Sequence, residues 1–264
     1  MNAIEYEMIE LLKRLKNEYG VIEIKAEYEN EGSRQVELMR LKDVAEKVNL
    51  PIIIKIGGVE AVTDIYNALS LGVKGIIAPM AETAYAASKF LDAINTFVPE
   101  DNREDIEFAI NVETITAYNN IEEILGLEKI KLLNSITVGR VDFTGSLGAS
   151  RSFANSDEML KYCSDIFRSA KGKGLRTALG GEISPDAESF IKSLVSDDLL
   201  DKFETRKIVY EKNAIDNISE GLFEGIKFEL LWLKSKRRYY HDVRNEDEKR
   251  IEMLDKRVFG ALSN

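Results

Sequence analysis

Two acidic residues stand where chemistry is expected in an α/β fold, each at the end of an apolar run. Glu113 ends the run over 106–113, and Asp142 ends the run over 136–141. Side chains at the carboxyl ends of neighbouring parallel strands meet at the same edge of a sheet or barrel. Hard divalent cations prefer oxygen ligands, and Mg²⁺ often takes only one or two protein carboxylates. The pattern predicts that Glu113 and Asp142 share one Mg²⁺ or Mn²⁺ ion, the alternative being carboxylates that cap a helix or pair with a base.

Two further charged residues are placed near strand ends. Lys55 interrupts an otherwise apolar stretch just before two glycines, so it is interpreted as facing the pocket, with a snorkelling surface lysine as the alternative. In the stretch 21–29 the alternation places Glu27 on the same side as Lys25. In a parallel barrel that side is interior, where such charges must be paired or functional.

The elements that must position these residues follow a regular alternation of strands and helices. Strands are predicted to begin near residues 21, 51, 73, 106, 135, 174 and 203. Strict alternation indicates a TIM-type (β/α) barrel or an open doubly wound sheet, and charges at several strand ends favour the barrel. The last strand is predicted over 202–210. An eighth would have to come from residues 1–5, which predicts an incomplete or irregular first strand.

The chain divides into a barrel over 1–216 and a C-terminal helical extension over 217–264. Helical spacing runs through the extension with one predicted break near 242–245, and it either belongs to the same domain or forms an oligomer interface. Ile218, Leu222, Phe223, Ile226, Leu230 and Leu233 recur at helical spacing, and Phe228, Leu231 and Trp232 widen the apolar surface. A surplus apolar face usually marks an interface, so a homo-oligomer joined through about 217–240 is predicted.

Composition restricts the partners. The chain of 264 residues has a formal net charge of −10, which argues against non-specific nucleic-acid binding. A small anionic substrate would need a local basic pocket, for which Lys55, Arg140 and Arg206 are the candidates. No apolar run long enough to cross a membrane occurs, so a cytoplasmic protein is predicted. The single cysteine, Cys163, lies at helical spacing with apolar residues and is expected to be a buried thiol.

Three segments of the chain match a known pattern: Val112–Glu113–Thr114, the glycine-bounded segment 139–148, and 69–80, which ends in Pro79 and Met80. In these segments the chain resembles the HpcH/HpaI aldolase/citrate lyase family of the phosphoenolpyruvate/pyruvate barrels. The resemblance spans roughly residues 8–210. It implies a metal-dependent carbon–carbon lyase or aldolase acting on a 2-oxo acid through an enolate. It assigns metal binding to Glu113 and Asp142, and implies that the loop after Pro79, including Met80, lines the substrate pocket.

The sequence departs from the family pattern at two positions. Where the aldolases carry an acid–histidine pair, this chain has Glu27 and Tyr28, and where they carry an arginine, Lys55 is nearest. The proton could then be moved by Glu27, Tyr28 or a metal-bound water. Crowding by other carboxylates would raise the pKa of Glu27 toward that task, although Lys25 opposes the shift. The only histidine, His241, is expected on the surface of the C-terminal helix.

Two other functions remain open from the sequence. A Schiff-base aldolase could use Lys55 or Lys25, with the amine activated by burial or by a cationic neighbour. The second alternative is a non-catalytic barrel that binds a small anionic ligand. The missing histidine and arginine favour this alternative. The polar residues at the strand ends favour an enzyme.

Overall fold

Eight strands close into a barrel in the computed structural model, which describes residues 1–260. They are β1 (Val21–Glu27), β2 (Ile52–Lys55), β3 (Gly75–Ala78), β4 (Glu107–Val112), β5 (Ser135–Gly139), β6 (Arg176–Gly180), β7 (Lys202–Glu204) and β8 (Ile208–Glu211). Strands β1 to β7 run parallel, whereas β8 runs antiparallel to both β7 and β1. The predicted TIM-type barrel is therefore confirmed.

The eighth strand does not come from the N-terminus. The stretch expected to be one strand over 202–210 is a hairpin of β7 and β8, and residues 3–18 are helical. Thr205 makes the turn, because its hydroxyl accepts from the amide of Ile208 at 3.0 Å and its own amide donates to the carbonyl of Ile208 at 2.9 Å. The hairpin closes the barrel and carries Arg206 at its tip.

Helices surround the barrel in the expected alternation. Those described within residues 1–260 are α1 (Ala3–Glu18), α2 (Gln35–Glu46), α3 (Val62–Leu71), α4 (Ala84–Phe97), α5 (Glu100–Arg103), α6 (Ile115–Asn119), α7 (Ile121–Leu125), α8 (Arg140–Ser146), α9 (Asp157–Gly172), α10 (Glu188–Ser196) and α11 (Ile218–Gly260). Short 3₁₀ segments occupy Glu128–Leu132, Arg151–Asn155, Pro185–Ala187 and Lys212–Asn217. Caps fix two helix starts: Asn2 and Glu5 form a capping box on α1, and the Ser156 hydroxyl accepts from Met159 N on α9.

The barrel wall has an apolar outer face and a mixed inner face. Ile76, Ile110 and Val138 are fully buried in the main core against the surrounding helices. The alternate positions point inward, where Ile53, Ile77, Ala109 and Val209 form a small apolar cluster. Charged side chains occupy other inward positions of the same strands and form the site described below.

The C-terminal helix α11 is continuous over 43 residues, so the break expected near 242–245 is absent. No proline or glycine interrupts 226–259, and i,i+4 ion pairs such as Lys256–Glu252 at 2.7 Å support the exposed part. The helix lies close to the barrel at Gly225, where an added Cβ would fall 2.1 Å from the Tyr210 hydroxyl. None of the helices described over 1–260 is long and apolar enough to span a bilayer.

The first half of α11 packs on its own protomer. Phe228, Leu231 and Trp232 are buried there. The apolar side chains left exposed on α11 between 218 and 240 are Phe223, Ile226, Leu230 and Leu233, which we call the α11 stripe. Beyond Tyr240 nearly every side chain is exposed, including His241 as expected.

Candidate active site

A cavity of about 620 Å³ opens at the carboxyl ends of the strands. Among its lining residues, six carboxylates face four cationic side chains: Glu27, Glu113, Asp142, Glu182, Glu204 and Glu229 against Lys25, Lys55, Arg151 and Arg206. The wall therefore carries an excess of negative charge inside a partly closed space. Such an excess attracts a cation.

Glu113 follows β4 directly and is almost fully buried, at 1% exposure. Its Oε1 accepts from the Met80 amide at 3.0 Å, and its Oε2 accepts from Asn111 Nδ2 at 2.9 Å. Gly139 gives the carboxylate room, because an added Cβ there would lie 2.7 Å from Glu113 Oε2. The carboxylate is thus held in one place while each oxygen keeps a lone pair for another partner.

Asp142 approaches the same cavity from a helix rather than a strand. The strand expected to run to residue 142 ends at Gly139, and Asp142 lies in the first turn of α8, exposed to the cavity. Desolvation, and then the negative charge of Glu113, raise the pKa of Asp142 against the opposing effect of Lys55. The two carboxylates predicted to act together therefore face the same space and repel each other.

Lys55 ends β2 and is buried, as expected for a pocket-facing lysine. Its Nζ lies 2.6 Å from Glu29 Oε2 and 3.5 Å from Glu113 Oε2. Burial alone would lower its pKa, but Glu113 and Glu29 outweigh burial and the pKa is raised. The ammonium group stays charged, which suits an anionic ligand and opposes a Schiff base.

Glu27 and Lys25 form an ion pair inside the barrel. Lys25 Nζ lies 3.2 Å from Glu27 Oε1 and 2.5 Å from Glu204 Oε1. Burial would raise the pKa of Glu27, yet Lys25 and Lys55 hold it below its ordinary value, so the expected upward shift is wrong. The same carboxylates outweigh burial at Lys25 and raise its pKa, so its amine is also a poor nucleophile.

Tyr28 is also a poor proton acceptor. Its hydroxyl donates to Gln35 Oε1 at 3.0 Å, and burial raises its pKa to about 12. A phenol with that pKa is almost entirely protonated at neutral pH.

The single cysteine, Cys163, is buried as predicted, and burial raises its thiol pKa to about 12.

Three residues expected to contact substrate have structural positions instead. Arg140 starts α8 and is fully buried, and its guanidinium donates to the carbonyls of Ala154 at 3.0 Å and Gly181 at 2.7 Å. The expectation that it points into the pocket beside Asp142 is wrong, because the strand parity on which it rested ends at residue 139. Pro79 is buried, and the Met80 amide is used by Glu113. None of the three is in the cavity wall described.

Other residues reach the cavity that the strand pattern does not single out. Asn111 Oδ1 and Glu204 Oε2 are buried there without a hydrogen-bond partner among the residues described. Ile226 and Glu229 enter the wall from α11. The only sequence signal for Glu229 is a carboxylate three residues after Ile226, on the same helical face, within an otherwise apolar segment.

The donor set fits a hard cation held by few protein ligands. Over the described chain no group of three or more histidine, cysteine, aspartate or glutamate side chains is arranged to hold a metal ion. A site built on Glu113 and Asp142 alone, with the remaining positions left to water and substrate oxygens, is the arrangement that Mg²⁺ commonly takes. Burial and then the negative charge of Glu113 raise the pKa of Asp142, and a cation between the two carboxylates would relieve their repulsion.

The fold and this acidic cavity define a class: a (β/α) barrel enzyme with its site at the carboxyl ends of the strands. Within that class, the chain belongs to the HpcH/HpaI aldolase/citrate lyase family, which matches over residues 36–184, more than half of its length. The resemblance inferred from the motifs is thereby confirmed. The chain is accordingly a lyase or aldolase of a family of carbon–carbon lyases.

Solved structures share the barrel at low sequence identity. The citrate synthase SbnG is 17% identical with a TM-score of 0.61, over 88% of this chain and 90% of that chain. The HpcH/HpaI aldolase from Desulfitobacterium hafniense DCB-2 is 13% identical with a TM-score of 0.53, over 73% of this chain and 89% of that chain. A HpcH/HpaI aldolase/citrate lyase family protein from Burkholderia cenocepacia J2315 is 12% identical with a TM-score of 0.55, over 88% of this chain and 98% of that chain. These likenesses concern the fold, and no curated protein matches the chain.

Proposed function

We propose that this protein is a divalent-metal-dependent aldolase or lyase that makes or breaks a carbon–carbon bond next to a 2-oxo acid. The observation that carries the proposal is the pair of carboxylates, Glu113 and Asp142, in a cavity with six carboxylates and four cationic side chains. When bound, Mg²⁺ or Mn²⁺ would withdraw electron density from the carbonyl of the 2-oxo acid and favour its enolate.

The protein's own residues would place the substrate. Glu113 is fixed by the Met80 amide and Asn111, so it presents its remaining lone pairs in a defined direction. Lys55 holds a positive charge within the same wall and would bind the substrate carboxylate, as a point charge rather than as a bidentate fork. The unpartnered Asn111 Oδ1 would accept a hydrogen bond from a substrate or from water. Preorganised groups of this kind stabilise charge that develops during reaction.

Metal titration tests the proposal. Glu113→Gln and Asp142→Asn should each weaken Mn²⁺ binding by more than about a hundredfold in calorimetry, because losing even an outer-shell partner typically costs 10- to 100-fold. Glu182→Gln is the matched control, since it removes the same charge from the same wall but its carboxylate pairs with Arg151 at 2.5 Å. Wild-type affinity in both ligand variants would contradict the metal site.

The raised pKa values of Lys25 and Lys55 favour this route over a Schiff base. Borohydride added with pyruvate should therefore leave the protein mass unchanged. A mass increase that disappears in Lys55→Met or Lys25→Met would establish the lysine mechanism instead.

We further propose a cytoplasmic homo-oligomer joined through the α11 stripe. Phe223 is 63% exposed and Leu230 and Leu233 are each 50% exposed, with spacings of one and two helical turns between them. Leu231 and Trp232, also candidates for the interface, are buried within the protomer, so changing them would test folding rather than assembly.

Light scattering at micromolar concentration tests the assembly. The wild type should have a multiple of the protomer mass of 29.8 kDa, and Leu230→Glu with Leu233→Glu should reduce it. Lys234→Glu, at an exposed position beside the stripe, should leave the mass unchanged. A monomeric wild type would rule the oligomer out.

A further inference from the structure

The cavity wall contains no histidine, so a side chain that carries the proton must be of another type. The single histidine of the chain, His241, is exposed on the far part of α11. The lysines of the wall are held in ion pairs and Tyr28 is hydrogen-bonded to Gln35. The remaining candidates are the cavity carboxyl groups.

Most of those carboxyl groups already have close partners. Glu27 and Glu204 pair with Lys25, and Glu182 pairs with Arg151 at 2.5 Å. Glu113 accepts from two donors, and it and Asp142 are assigned above to the cation. A carboxylate tied to a cation is stabilised in its charged form and accepts a proton reluctantly.

Glu229 is the exception. It reaches the cavity wall from α11, its side chain is 26% exposed, and its closest cation is Arg206, with Nε 3.9 Å from Oε1. That separation exceeds a hydrogen bond, and the described residues give the carboxylate no other ion-pair or hydrogen-bond partner.

The surroundings of Glu229 suit a group that exchanges protons. Burial raises its pKa, the positive charges of Arg206 and Lys207 oppose that rise, and Glu31 and Glu27 add to it, with a net upward shift. Lys207 is itself paired with Glu31, which weakens its effect. A carboxyl group whose pKa moves toward the working pH is a better acid–base catalyst than an ordinary one.

We propose that Glu229 is the acid–base residue of this site, taking the proton from the carbon next to the carbonyl of a bound 2-oxo acid and returning it. The inference depends on the function proposed above. In the forward step the C–H bond breaks and the proton goes to a Glu229 oxygen. The electron pair of that bond forms the C=C bond of the enolate, and the π pair of the carbonyl group moves onto the carbonyl oxygen. In the return step the carboxylic acid gives a proton back to that carbon and becomes a carboxylate again. No oxidant or further reactant is needed.

Hydrogen exchange into pyruvate tests this without requiring the natural substrate. Wild-type protein with saturating Mg²⁺ in D₂O should replace the methyl protons of pyruvate by deuterium. The exchange rate is measured from the loss of the methyl signal in proton NMR spectra. Glu229→Gln should slow the exchange by about 10²- to 10⁴-fold, the usual contribution of a general base. Glu220→Gln, on an exposed part of the same helix, should exchange as the wild type does. Pyruvate affinity, measured by calorimetry, should change less than the exchange rate does.

The pH profile separates a proton carrier from a residue that only fixes Arg206. A base must be ionised to act, so the wild-type exchange rate should rise with pH through the pKa of Glu229, and this rise should be absent in Glu229→Gln. A variant that keeps the rise, or that exchanges at the wild-type rate, overturns the assignment of Glu229. A wild type that binds Mg²⁺ but exchanges no protons overturns the proposed enolate chemistry together with the role of Glu229.

Discussion

Two groups of charged side chains lie inside this barrel, and their residue types are almost the same. The lower group, toward the amino ends of the strands, contains Glu23, Glu107 and Lys202, with the half-exposed Arg176 at its edge. Lys202 Nζ lies 2.7 Å from Glu107 and 3.3 Å from Glu23, so positive and negative groups balance. The upper group surrounds the large cavity and has more carboxylates than cations. Buried charge alone therefore does not identify a site, whereas unbalanced charge around open space does.

The lower group depends on one central cation, Lys202. Lys202→Met leaves Glu23 without any ion-pair partner in the part of the chain described, and Glu23 has little exposure with which to recover solvation. Breaking a buried pair in this way typically costs about 3–5 kcal/mol, so the free energy of unfolding should fall by that amount in urea denaturation. Lys202→Arg keeps a positive charge at this position, so its unfolding free energy should fall less. A loss below about 1 kcal/mol would mean that the lower group is not a stability element.

The same substitution in the upper group should mainly affect function. In Lys55→Met, Glu29 is 21% exposed and can turn toward water, and Glu113 keeps its bonds to Met80 and Asn111. The unfolding free energy should therefore fall less than in Lys202→Met. The lost contact between the Lys55 ammonium group and the substrate carboxylate is worth about 2 kcal/mol, which corresponds to a roughly thirtyfold lower kcat/KM. Unchanged turnover and affinity would make Lys55 a structural lysine.

The smallest effect concerns pH and the lower group. Burial would raise the pKa of Glu107, but Lys202 and the Ser135 hydroxyl outweigh it and hold the pKa below its ordinary value of 4.5. A depressed carboxyl pKa stabilises the fold above the unfolded-state pKa, and this stabilisation is lost as the pH falls through the folded-state pKa. In Glu107→Gln the unfolding free energy should therefore fall less steeply than in the wild type as the pH is lowered into the acid range. If the unfolding free energies of the variant and the wild type fell in parallel as the pH is lowered, this role of Glu107 would be contradicted.

The sequence predicted the barrel because apolar strands alternate with helices along the chain. Six of the seven parallel strands are followed by a helix, whereas β7 leads directly into β8. It predicted that Glu113 and Lys55 face the pocket, because both lie at strand ends that the apolar runs mark clearly. These features are local, and the helices and strands that carry them form as the local pattern predicts.

The features that the sequence did not reveal depend on chain geometry. The turn at 205–207 contains neither glycine nor proline, so the hairpin of β7 and β8 was interpreted as one strand. The end of β5 at Gly139 moved Arg140 out of strand parity and into the packing beneath α8. Glu229 reaches the cavity only because α11 lies against the barrel at Gly225, which is a tertiary contact between distant parts of the chain.

The long helix also has a mechanical consequence. A helix rises about 1.5 Å per residue, so the exposed arm beyond Tyr240 extends for about 30 Å. Ser235 and Tyr240 tie the helix to Glu5 and Glu37 between that arm and the cavity wall at Ile226 and Glu229. These hydrogen bonds anchor α11 to α1 and α2 just before the exposed arm begins, so the arm projects from a fixed part of the protomer.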